Sequence, residues 1–437
     1  MTDPHRPVYH LMPERNWMND PNGLVQVDGV FHAFYQHNPY GALWGNMSWG
    51  HARSRDLIHW EHLSIAIRQD PDGPDASGCF SGAIVNHGGV PTMVYTGVRG
   101  DDELCCVAWP EDDELIAWRK YADNPVIKHT PQDVATTIFR DHTLWRDGDF
   151  WYMGVGSGIE GRGGAVLLYR STDLIDWEYL HPLIVEQPEL NPESALISTG
   201  WECPDFFFVG EEPALIVCEW DGDPVAVSWY RGEYGDQRFH AVSKGVVDYG
   251  DCLYAPQTFR SEDGGRLFFG WMREKRSDDE QVAAGWSGVF SLPREVIFHE
   301  DGSLGFVPAA EVMGLRGDAQ HYMVSDGGVS TSAACEIEVA ATIPVELSWP
   351  NECIINWDGE ILRVQARDEE FAAPLNGPLA SDASLRIFID HSLVEAFLGD
   401  RIALSTRVYR EDACWDEATV KADEGTEITV WGIASIW

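Results

Sequence analysis

Trp17-Met18-Asn19-Asp20-Pro21-Asn22-Gly23 is the stretch around which the fold of this chain can be worked out. Pro21 and Gly23 predict a tight turn next to the Asp20 carboxylate. Behind it, residues 24–27 and 30–35 read as two strands joined by the two-residue turn Asp28-Gly29. The sequence therefore predicts a β-hairpin with Asp20 on a rigid support just ahead of it.

Strand–turn–strand units of this kind recur along the first 300 residues. Their turns fall near residues 28, 88, 148, 211 and 264, which gives a period of about 60 residues. A direct internal match supports the period, because residues 54–63 reappear with few changes as residues 171–180, an offset of 117 residues. We expect Trp60 and Trp177 of this match to pack between units. Five units of this size predict a five-bladed β-propeller over about residues 8–308.

A polar cluster stands about seven to ten residues ahead of each hairpin turn. The clusters are Asp20, Phe80-Ser81-Gly82, Arg140-Asp141, Glu202-Cys203 and Asp251 to Tyr254. Equal phase in a propeller places such clusters at the same end of the innermost strands, around the central funnel. Three carboxylates from three blades are therefore expected to converge, which is unfavourable unless they perform chemistry or hold a metal.

The last third of the chain follows a different pattern. Residues 309–319 read as a short helical linker, and strands such as 336–340 and 385–390 alternate without the sixty-residue period. About 120 residues of this kind suit a β-sandwich over residues 320–437. The predicted fold class is all-β: a catalytic five-bladed propeller over residues 1–308, followed by a C-terminal sandwich with a structural or substrate-binding role.

The charge of the chain excludes several classes of partner. Its 71 acidic against 30 basic residues give a formal net charge of −41, which argues against nucleic acid and anionic membranes. The acidic residues are spread along the whole chain and lysine is rare, so the composition resembles that of proteins from high-salt cytoplasm. An ordinary acidic protein is the alternative. Oligomeric state does not follow from these features.

The N-terminal residues and the cysteines indicate the compartment. The sequence up to Trp17 has neither a basic nor an apolar segment of the signal-peptide type, and no apolar run approaches the ~18 residues of a membrane span. We therefore expect a cytoplasmic protein. Nine cysteines include no CxxC pair, and Cys105, Cys106, Cys218 and Cys353 lie in apolar runs, which predicts buried thiols.

Three convergent carboxylates suit the hydrolysis of a glycoside. A retaining glycosidase uses one carboxylate as nucleophile and a second as acid/base. Asp20 is the predicted nucleophile, kept ionised by backbone amides of its turn, and Glu202 is the predicted acid/base, favoured by apolar neighbours. Asp141, held charged by Arg140, suits binding vicinal sugar hydroxyls. The predicted substrate-binding residues are Trp17, Asn19, Gln36, Trp44, Phe80, Ser81, Arg140, Cys203, Tyr254 and Trp271.

Residues 17–23 resemble the signature of the β-fructosidases of glycoside hydrolase family 32. Further matching segments follow in the family's order through most of the chain; they include residues 34–39, 80–82, 201–205, 254–259, 291–295 and 388–397. The resemblance implies a five-bladed propeller with a sandwich, and retaining hydrolysis at terminal β-fructofuranosyl units without a metal or another cofactor. It also implies Asp20 as nucleophile, Glu202 as acid/base and Asp141 as transition-state stabiliser.

One segment departs from the family pattern. The family's Arg-Asp-Pro reads Arg140-Asp141-His142 here. Losing the proline relaxes the backbone, and we expect His142 to add a contact or to titrate near neutral pH.

Several functions are consistent with this resemblance. The first is hydrolysis of sucrose and short fructo-oligosaccharides. A fructosyltransferase would use the same residues, and a non-catalytic fructan-binding lectin belongs to a different class. Because a lectin derived from an enzyme typically lacks one carboxylate, the presence of both Asp20 and Glu202 favours an enzyme. A sucrose-6-phosphate preference would require basic residues that the charge balance disfavours.

Overall fold

The computed structural model describes residues 3–190, 198–324, 328–350, 352–410 and 414–437. Almost all regular structure in it is β-strand. Five sheets follow one another along the chain up to Pro308, and two six-stranded sheets follow them. The predicted all-β class is confirmed. Among the described residues, no helix is long and apolar enough to cross a bilayer.

Each of the first five sheets is a blade built from consecutive strands. Blade I contains β1 (Asn16–Val27), β2 (Val30–Asn38), β3 (Ser48–Ser54) and β4 (Trp60–His62). Blade II contains β5 (Gly78–His87), β6 (Val90–Arg99), β7 (Asp102–Pro110) and β8 (Trp118–Lys120). Blade III contains β9 (Thr136–Asp147), β10 (Phe150–Ile159), β11 (Gly163–Ser171) and β12 (Glu178–Val185). A 3-10 turn, Pro188–Leu190, follows it.

The last two blades complete the ring. Blade IV contains β13 (Gly200–Val209), β14 (Glu212–Trp220), β15 (Pro224–Gly235) and β16 (Arg238–Val246). Blade V begins with β17 (Leu253–Arg260) and β18 (Arg266–Met272). It continues through the helix α1 (Asp278–Ala284) and the short strands β19 (Trp286–Ser287) and β20 (Val289–Phe290) to β21 (Arg294–Phe298) and β22 (Leu304–Pro308).

The first strands of the blades form the innermost layer. Each of β1, β5, β9, β13 and β17 contacts the next, and β17 contacts β1, which closes a ring of five. Closure is reinforced where β19, from the last blade, pairs in parallel with β1 at Asn16↔Trp286 and Trp17↔Ser287. The five-bladed propeller predicted from the sixty-residue period is therefore confirmed.

The internal sequence match forms the same turn in two blades. In blade I, Leu57 has a φ of 68° and its carbonyl accepts the indole N–H of Trp60 at 3.0 Å. In blade III, Leu174 has a φ of 66° and accepts from Trp177 at 3.0 Å. Trp60 also packs edge-on against Phe269 of blade V, which confirms its predicted position between blades.

Blade II contains a third copy of this turn, which the sequence comparison missed. Leu115 has a φ of 57° and accepts from the Trp118 indole at 2.7 Å. The Leu–Trp spacing of three residues is kept, but the Ser-x-Asp that precedes it in the other copies is replaced by Asp112 alone. Asp112 accepts backbone N–H groups from Ile116 and Ala117 instead.

The C-terminal part is a β-sandwich of two six-stranded sheets. Its strands are β23 (Arg316–Met323), β24 (Val329–Ser330), β25 (Ala334–Ala340), β26 (Val345–Trp349), β27 (Cys353–Trp357), β28 (Ile361–Ala366), β29 (Glu369–Pro374), β30 (Ser384–Asp390), β31 (Leu393–Leu398), β32 (Ile402–Arg407), β33 (Glu417–Ala422) and β34 (Glu427–Ile433). The sheet orders are β23-β34-β25-β30-β31-β32 and β24-β33-β26-β27-β28-β29. One apolar cluster fills the space between them.

A 3-10 helix, Ala310–Leu315, connects the two parts. The division into residues 1–308, a linker 309–319 and a sandwich 320–437 is a proposal. In support of it, β22 ends at Pro308, and the 3-10 helix and the first four residues of β23 fall inside the linker. Cys105, Cys106, Cys218 and Cys353 are buried thiols, as predicted.

A buried network of charged side chains joins the propeller to the sandwich. Arg294 of β21 is 0% exposed and donates to Glu395 of β31 at 2.6 Å and to Asp248 at 2.9 Å. His10, also buried, contacts Asp390 at 2.7 Å and Glu395 at 2.8 Å. Burial lowers the pKa of His10, but these hydrogen bonds to two carboxylates outweigh it and raise the pKa. The two parts are thus joined by charged side chains that are almost completely shielded from solvent.

Removing Arg294 is expected to destabilise the whole protein. Arg294→Met leaves Asp248 buried without its cation and leaves Glu395 paired with His10 but not with an arginine; breaking buried ion pairs in this way costs about 3–5 kcal/mol. The free energy of unfolding, measured by urea titration, should fall by that amount. Arg53→Met is the matched control, because Arg53 pairs with Glu61 and Glu114 at the surface and its loss should cost at most about 1 kcal/mol. Equal losses in the two variants would contradict this account of the network.

Candidate active site

A β-bulge falls at the same level in all five innermost strands. In each strand the register with the neighbouring strand shifts, at Asn19-Asp20, Ser81, Asp141, Cys203-Pro204 and Ala255-Pro256. A bulge inserts an extra residue and turns its side chain out of the strand's regular alternation. The bulges of the first four strands thus turn Asp20, Ser81, Asp141 and Cys203 toward one end of the propeller axis, and Tyr254 lies next to the fifth bulge.

Backbone strain accompanies these bulges. Asp141, Cys203 and Ala255 have φ values of 60°, 46° and 46°, a conformation that residues with a Cβ rarely adopt. Strain of this kind persists where the surrounding structure fixes it, and it is concentrated at functional sites.

The prediction of a tight turn at Pro21-Asn22-Gly23 is wrong. The strand β1 continues through these residues, with two register shifts against β2.

Five of the bulged residues, Asn19, Asp20, Ser81, Asp141 and Cys203, line a pocket of about 380 Å³ at this end of the propeller. Twelve of the thirteen predicted site residues lie in its wall: Asn19, Asp20, Gln36, Trp44, Phe80, Ser81, Arg140, Asp141, Glu202, Cys203, Tyr254 and Trp271. Trp17 is the exception. Its indole lies edge-on to Trp271, with ring centres 5.6 Å apart, and donates to Asn19 at 2.6 Å, so it supports the wall from behind.

The pocket also contains three residues that the sequence patterns did not indicate, Met47, Trp220 and Pro224. Met47 lies in the connection between the second and third strands of blade I, and Trp220 and Pro224 are the strand residues on either side of the corresponding connection in blade IV. These connections start at the same end of the blades as the bulges. Their position in the sixty-residue repeat could therefore have predicted that these three residues line the pocket. Asp251, in contrast, faces away from the pocket and contacts Lys275 and Thr406.

Neutral side chains surround the Asp20 carboxylate. Ser81 donates to Oδ2 at 2.6 Å and Asn19 donates to Oδ1 at 3.0 Å, and the Cys203 thiol lies 3.5 Å from Oδ2. The expected support by backbone amides of the turn is wrong. Burial raises the pKa of Asp20, while the hydrogen bonds from Ser81 and Asn19 oppose that rise. Asp20 therefore loses its charge at a higher pH than an exposed aspartate does.

The surroundings of Glu202 are polar, contrary to the apolar environment expected. Arg140 donates to Oε1 through Nη2 at 2.9 Å and Nε at 3.1 Å, and the Tyr254 hydroxyl donates to Oε2 at 2.7 Å. Burial raises the pKa of Tyr254, so its hydroxyl keeps the proton that it donates. Both oxygens of Glu202 are thus held in a fixed orientation toward the pocket.

Asp141 is the most buried of the three carboxylates. Its Oδ2 accepts the Cys203 backbone N–H at 2.9 Å and lies 3.4 Å from the Cys203 thiol, which links it to Asp20. Burial, together with the charges of Asp20 and Glu202, raises the pKa of Asp141 to about 7. The expectation that Arg140 keeps Asp141 charged is wrong, because the guanidinium forms its ion pairs with Glu202 and Glu103 instead.

His142 points away from this pocket and lines a second cavity further along the propeller axis. Thr96 donates its hydroxyl proton to the Ser81 carbonyl, so it accepts from His142 Nδ1 at 3.4 Å. Burial lowers the pKa of His142 to about 3. The predicted titration near neutral pH is therefore wrong. In the described part of the chain no group of three or more His, Cys, Asp or Glu could hold a metal ion; the absence of a cofactor stays a prediction.

A pocket at the propeller axis, with three carboxylates in separate hydrogen-bonding environments, has the composition expected of a glycoside hydrolase built on a propeller. The N-terminal domain model of glycosyl hydrolases family 32 matches residues 10–308, and the C-terminal model of that family matches residues 361–433. The chain belongs to glycosyl hydrolase family 32.

Individual relatives agree with this assignment. A sucrose-6-phosphate hydrolase of Escherichia coli is 33% identical, covering 92% of this chain and 89% of that protein. A raffinose invertase of Escherichia coli is 35% identical with the same coverage. A GH32 β-fructofuranosidase of Bombyx mori, solved as a mutant with sucrose, superposes with a TM-score of 0.84 at 27% identity, covering 99% of this chain and 95% of that one.

Proposed function

We propose that the protein is a retaining β-fructofuranosidase that hydrolyses terminal β-D-fructofuranosyl units of sucrose and short fructo-oligosaccharides. The observation that carries the proposal is the contrast between two carboxylates in one pocket. Among the described residues, the donors to Asp20 are neutral, whereas Glu202 lies between a guanidinium and a phenol. Different environments of this kind assign different roles to two carboxyl groups.

In the first step, Asp20 attacks the anomeric carbon of the fructosyl unit and forms an ester with it. Glu202 gives its proton to the glycosidic oxygen as that bond breaks, so the leaving sugar departs as a neutral alcohol. In the second step, Glu202 takes a proton from water, and the resulting hydroxide cleaves the ester to release fructose. Asp20 returns as a carboxylate and Glu202 as an acid, so charge and protons balance over the cycle.

Asp141 takes the role of binding sugar hydroxyls and stabilising the transition state. Its Oδ2 is already held by the Cys203 N–H, so Oδ1 is the atom available to a hydroxyl. Phe80, Trp44 and Trp271 supply apolar ring surface for the sugar, and Gln36 supplies an amide. The three carboxylates thus act on one sugar ring from three blades.

The pocket favours an unphosphorylated leaving group. In the part of the chain that the structure describes, Arg140 is the one cationic residue in the pocket wall, and it already binds Glu202 and Glu103. A phosphate dianion would therefore meet three carboxylates without a cation dedicated to it. Although several relatives are named sucrose-6-phosphate hydrolase, we expect kcat/KM for sucrose to exceed that for sucrose 6-phosphate by at least about tenfold. Steady-state kinetics with both sugars measures this, and equal values would contradict it.

The experiment that tests the function is product analysis with sucrose in molar salt. Equal amounts of glucose and fructose establish the hydrolase. Glucose in excess of fructose assigns fructosyl transfer instead. If a folded protein binds fructan but releases nothing from sucrose, inulin or levan, the enzyme assignment is wrong and a lectin replaces it. Repeating the assay across salt concentrations also tests the high-salt origin, which stays a prediction from the acidic composition.

A further inference from the structure

Glu103 reaches the active site from outside the pocket wall. It lies on β7, the third strand of blade II, and its side chain is 16% exposed. One oxygen accepts from Arg140 Nη1, and the other accepts the Phe139 backbone N–H at 2.8 Å. Both partners belong to β9, so Glu103 fixes the innermost strand of the neighbouring blade just ahead of the Asp141 bulge.

The Arg140 guanidinium is consequently shared between two carboxylates. Nη1 binds Glu103, while Nη2 and Nε bind Glu202 Oε1 at 2.9 and 3.1 Å. The Trp220 ring lies against the guanidinium, with its centre 5.5 Å from the central carbon. A planar guanidinium held on both edges and on one face has no freedom to turn fully toward either carboxylate.

We propose that Glu103 is a positioning residue that controls how tightly Glu202 holds its proton, by taking up part of the charge of Arg140. The inference rests on the proposed function, in which Glu202 is the acid/base. A carboxylate paired alone with a guanidinium is strongly favoured in its ionised form. A general acid must carry its proton before the glycosidic bond breaks. By sharing Arg140, the Glu103 carboxylate therefore allows Glu202 to keep its proton although a charged arginine lies beside it.

The other groups that face Glu202 do not replace Glu103 in this role. The ionisable side chains around it are Arg140 and Asp141 from β9, Asp20 from β1, Cys218 from β14 and Tyr254 from β17, and Cys203 is its neighbour in sequence. Arg140 is the single cation in this set. Of the two carboxylates that pair with it in the described residues, Glu103 is the one outside the pocket.

Glu103→Gln tests the proposal, because it keeps the shape and an acceptor for the Phe139 N–H but removes the charge. Arg140 then acts on Glu202 alone, and Glu202 loses its proton at lower pH. The alkaline limb of the kcat/KM profile for sucrose should move about one unit toward lower pH. The acidic limb should move less, because it reports Asp20, which accepts hydrogen bonds from Ser81 and Asn19, whereas Arg140 donates directly to Glu202. The change should appear in kcat more than in KM.

Two further variants complete the test. Glu178→Gln is the matched control, since Glu178 pairs with Arg170 on the outer strands of blade III and its loss should leave both limbs in place. Glu103→Asp keeps the charge but withdraws it from Arg140, so its alkaline limb should fall between those of the wild type and Glu103→Gln. If Glu103→Gln does not fold, the shift of the alkaline limb in Glu103→Asp tests the proposal instead.

The outcomes separate this inference from the proposed function. A uniform fall in activity without a shift of the alkaline limb, or a different order among the three proteins, overturns the role of Glu103. Failure of the wild-type protein to release fructose overturns the proposed function instead, before any variant is made.

Discussion

Asp20→Asn is expected to lower kcat for sucrose hydrolysis by at least about 10⁴-fold while the protein stays folded. The amide has the size of the carboxylate and can keep its contacts to Ser81 and Asn19, but it cannot form the fructosyl ester. The fall should appear in kcat, because the pocket wall that binds the sugar is unchanged. Sucrose hydrolysis at saturating substrate measures it, with circular dichroism to confirm the fold.

The same substitution in the adjacent hairpin turn provides the control. Asp28 is exposed and has a φ of 51°, a conformation that asparagine also accepts. Asp28→Asn should therefore keep wild-type kinetics.

Mass spectrometry of acid-quenched wild-type enzyme detects the covalent intermediate directly. A fructosyl adduct should map to Asp20. Residual activity of Asp20→Asn above about one per cent of wild type would contradict its role as nucleophile.

Glu202→Gln is expected to lower kcat for sucrose by about 10³-fold, within the range for loss of a general acid. The size of the loss should depend on the leaving group. Fructosyl fluoride releases fluoride without receiving a proton, so its first step should be slowed far less than that of sucrose. Azide should then restore turnover and give fructosyl azide with retained configuration, because an anionic nucleophile needs no general base.

A glutamate on the same blade supplies the control for this variant. Glu212 forms an ion pair with Arg231 at the outer hairpin turn of blade IV, and Glu212→Gln should keep wild-type rates. Equal losses with sucrose and fructosyl fluoride in Glu202→Gln would assign Glu202 to sugar binding rather than to proton transfer. Stopped assays that separate glucose, fluoride and fructose release distinguish the two roles.

The propeller could be predicted from sequence because its signal is repeated five times. Turns such as Asp28-Gly29 mark each unit, and the distance from turn to polar cluster is nearly constant. Because each polar cluster lies at a similar distance ahead of its turn, Asp20, Asp141 and Glu202 could be predicted to lie at one end of the axis. The position of the site therefore follows from the period, without knowledge of any side-chain contact.

The bulges could not be predicted in the same way. Positive φ values usually show in a sequence as glycine, but Asp141, Cys203 and Ala255 adopt them without one. Pro21 and Gly23 show the opposite case. They are residues typical of turns and predicted one, but both lie inside the strand β1. Local composition reports what a residue prefers, and at these positions contacts between blades override the preference.

Electrostatic environments were the least predictable part of the site. Arg140 and Asp141 are neighbours in sequence, yet the guanidinium pairs with Glu202 from blade IV and Glu103 from blade II. Neighbours along a strand point to opposite faces, and the bulge alters that alternation at Asp141. Which charges meet was therefore decided by strand geometry that no single stretch of sequence contains.

The buried charges between the propeller and the sandwich limit how such a protein can diverge. A propeller recombined with an unrelated sandwich would keep Arg294, Asp248 and His10 but lose Glu395 and Asp390, so Arg294 would have one buried carboxylate instead of two and His10 would lose both of its partners. A change in one of these side chains is tolerable only when its counterpart changes too. The two parts should consequently be inherited together, with correlated substitutions across this interface.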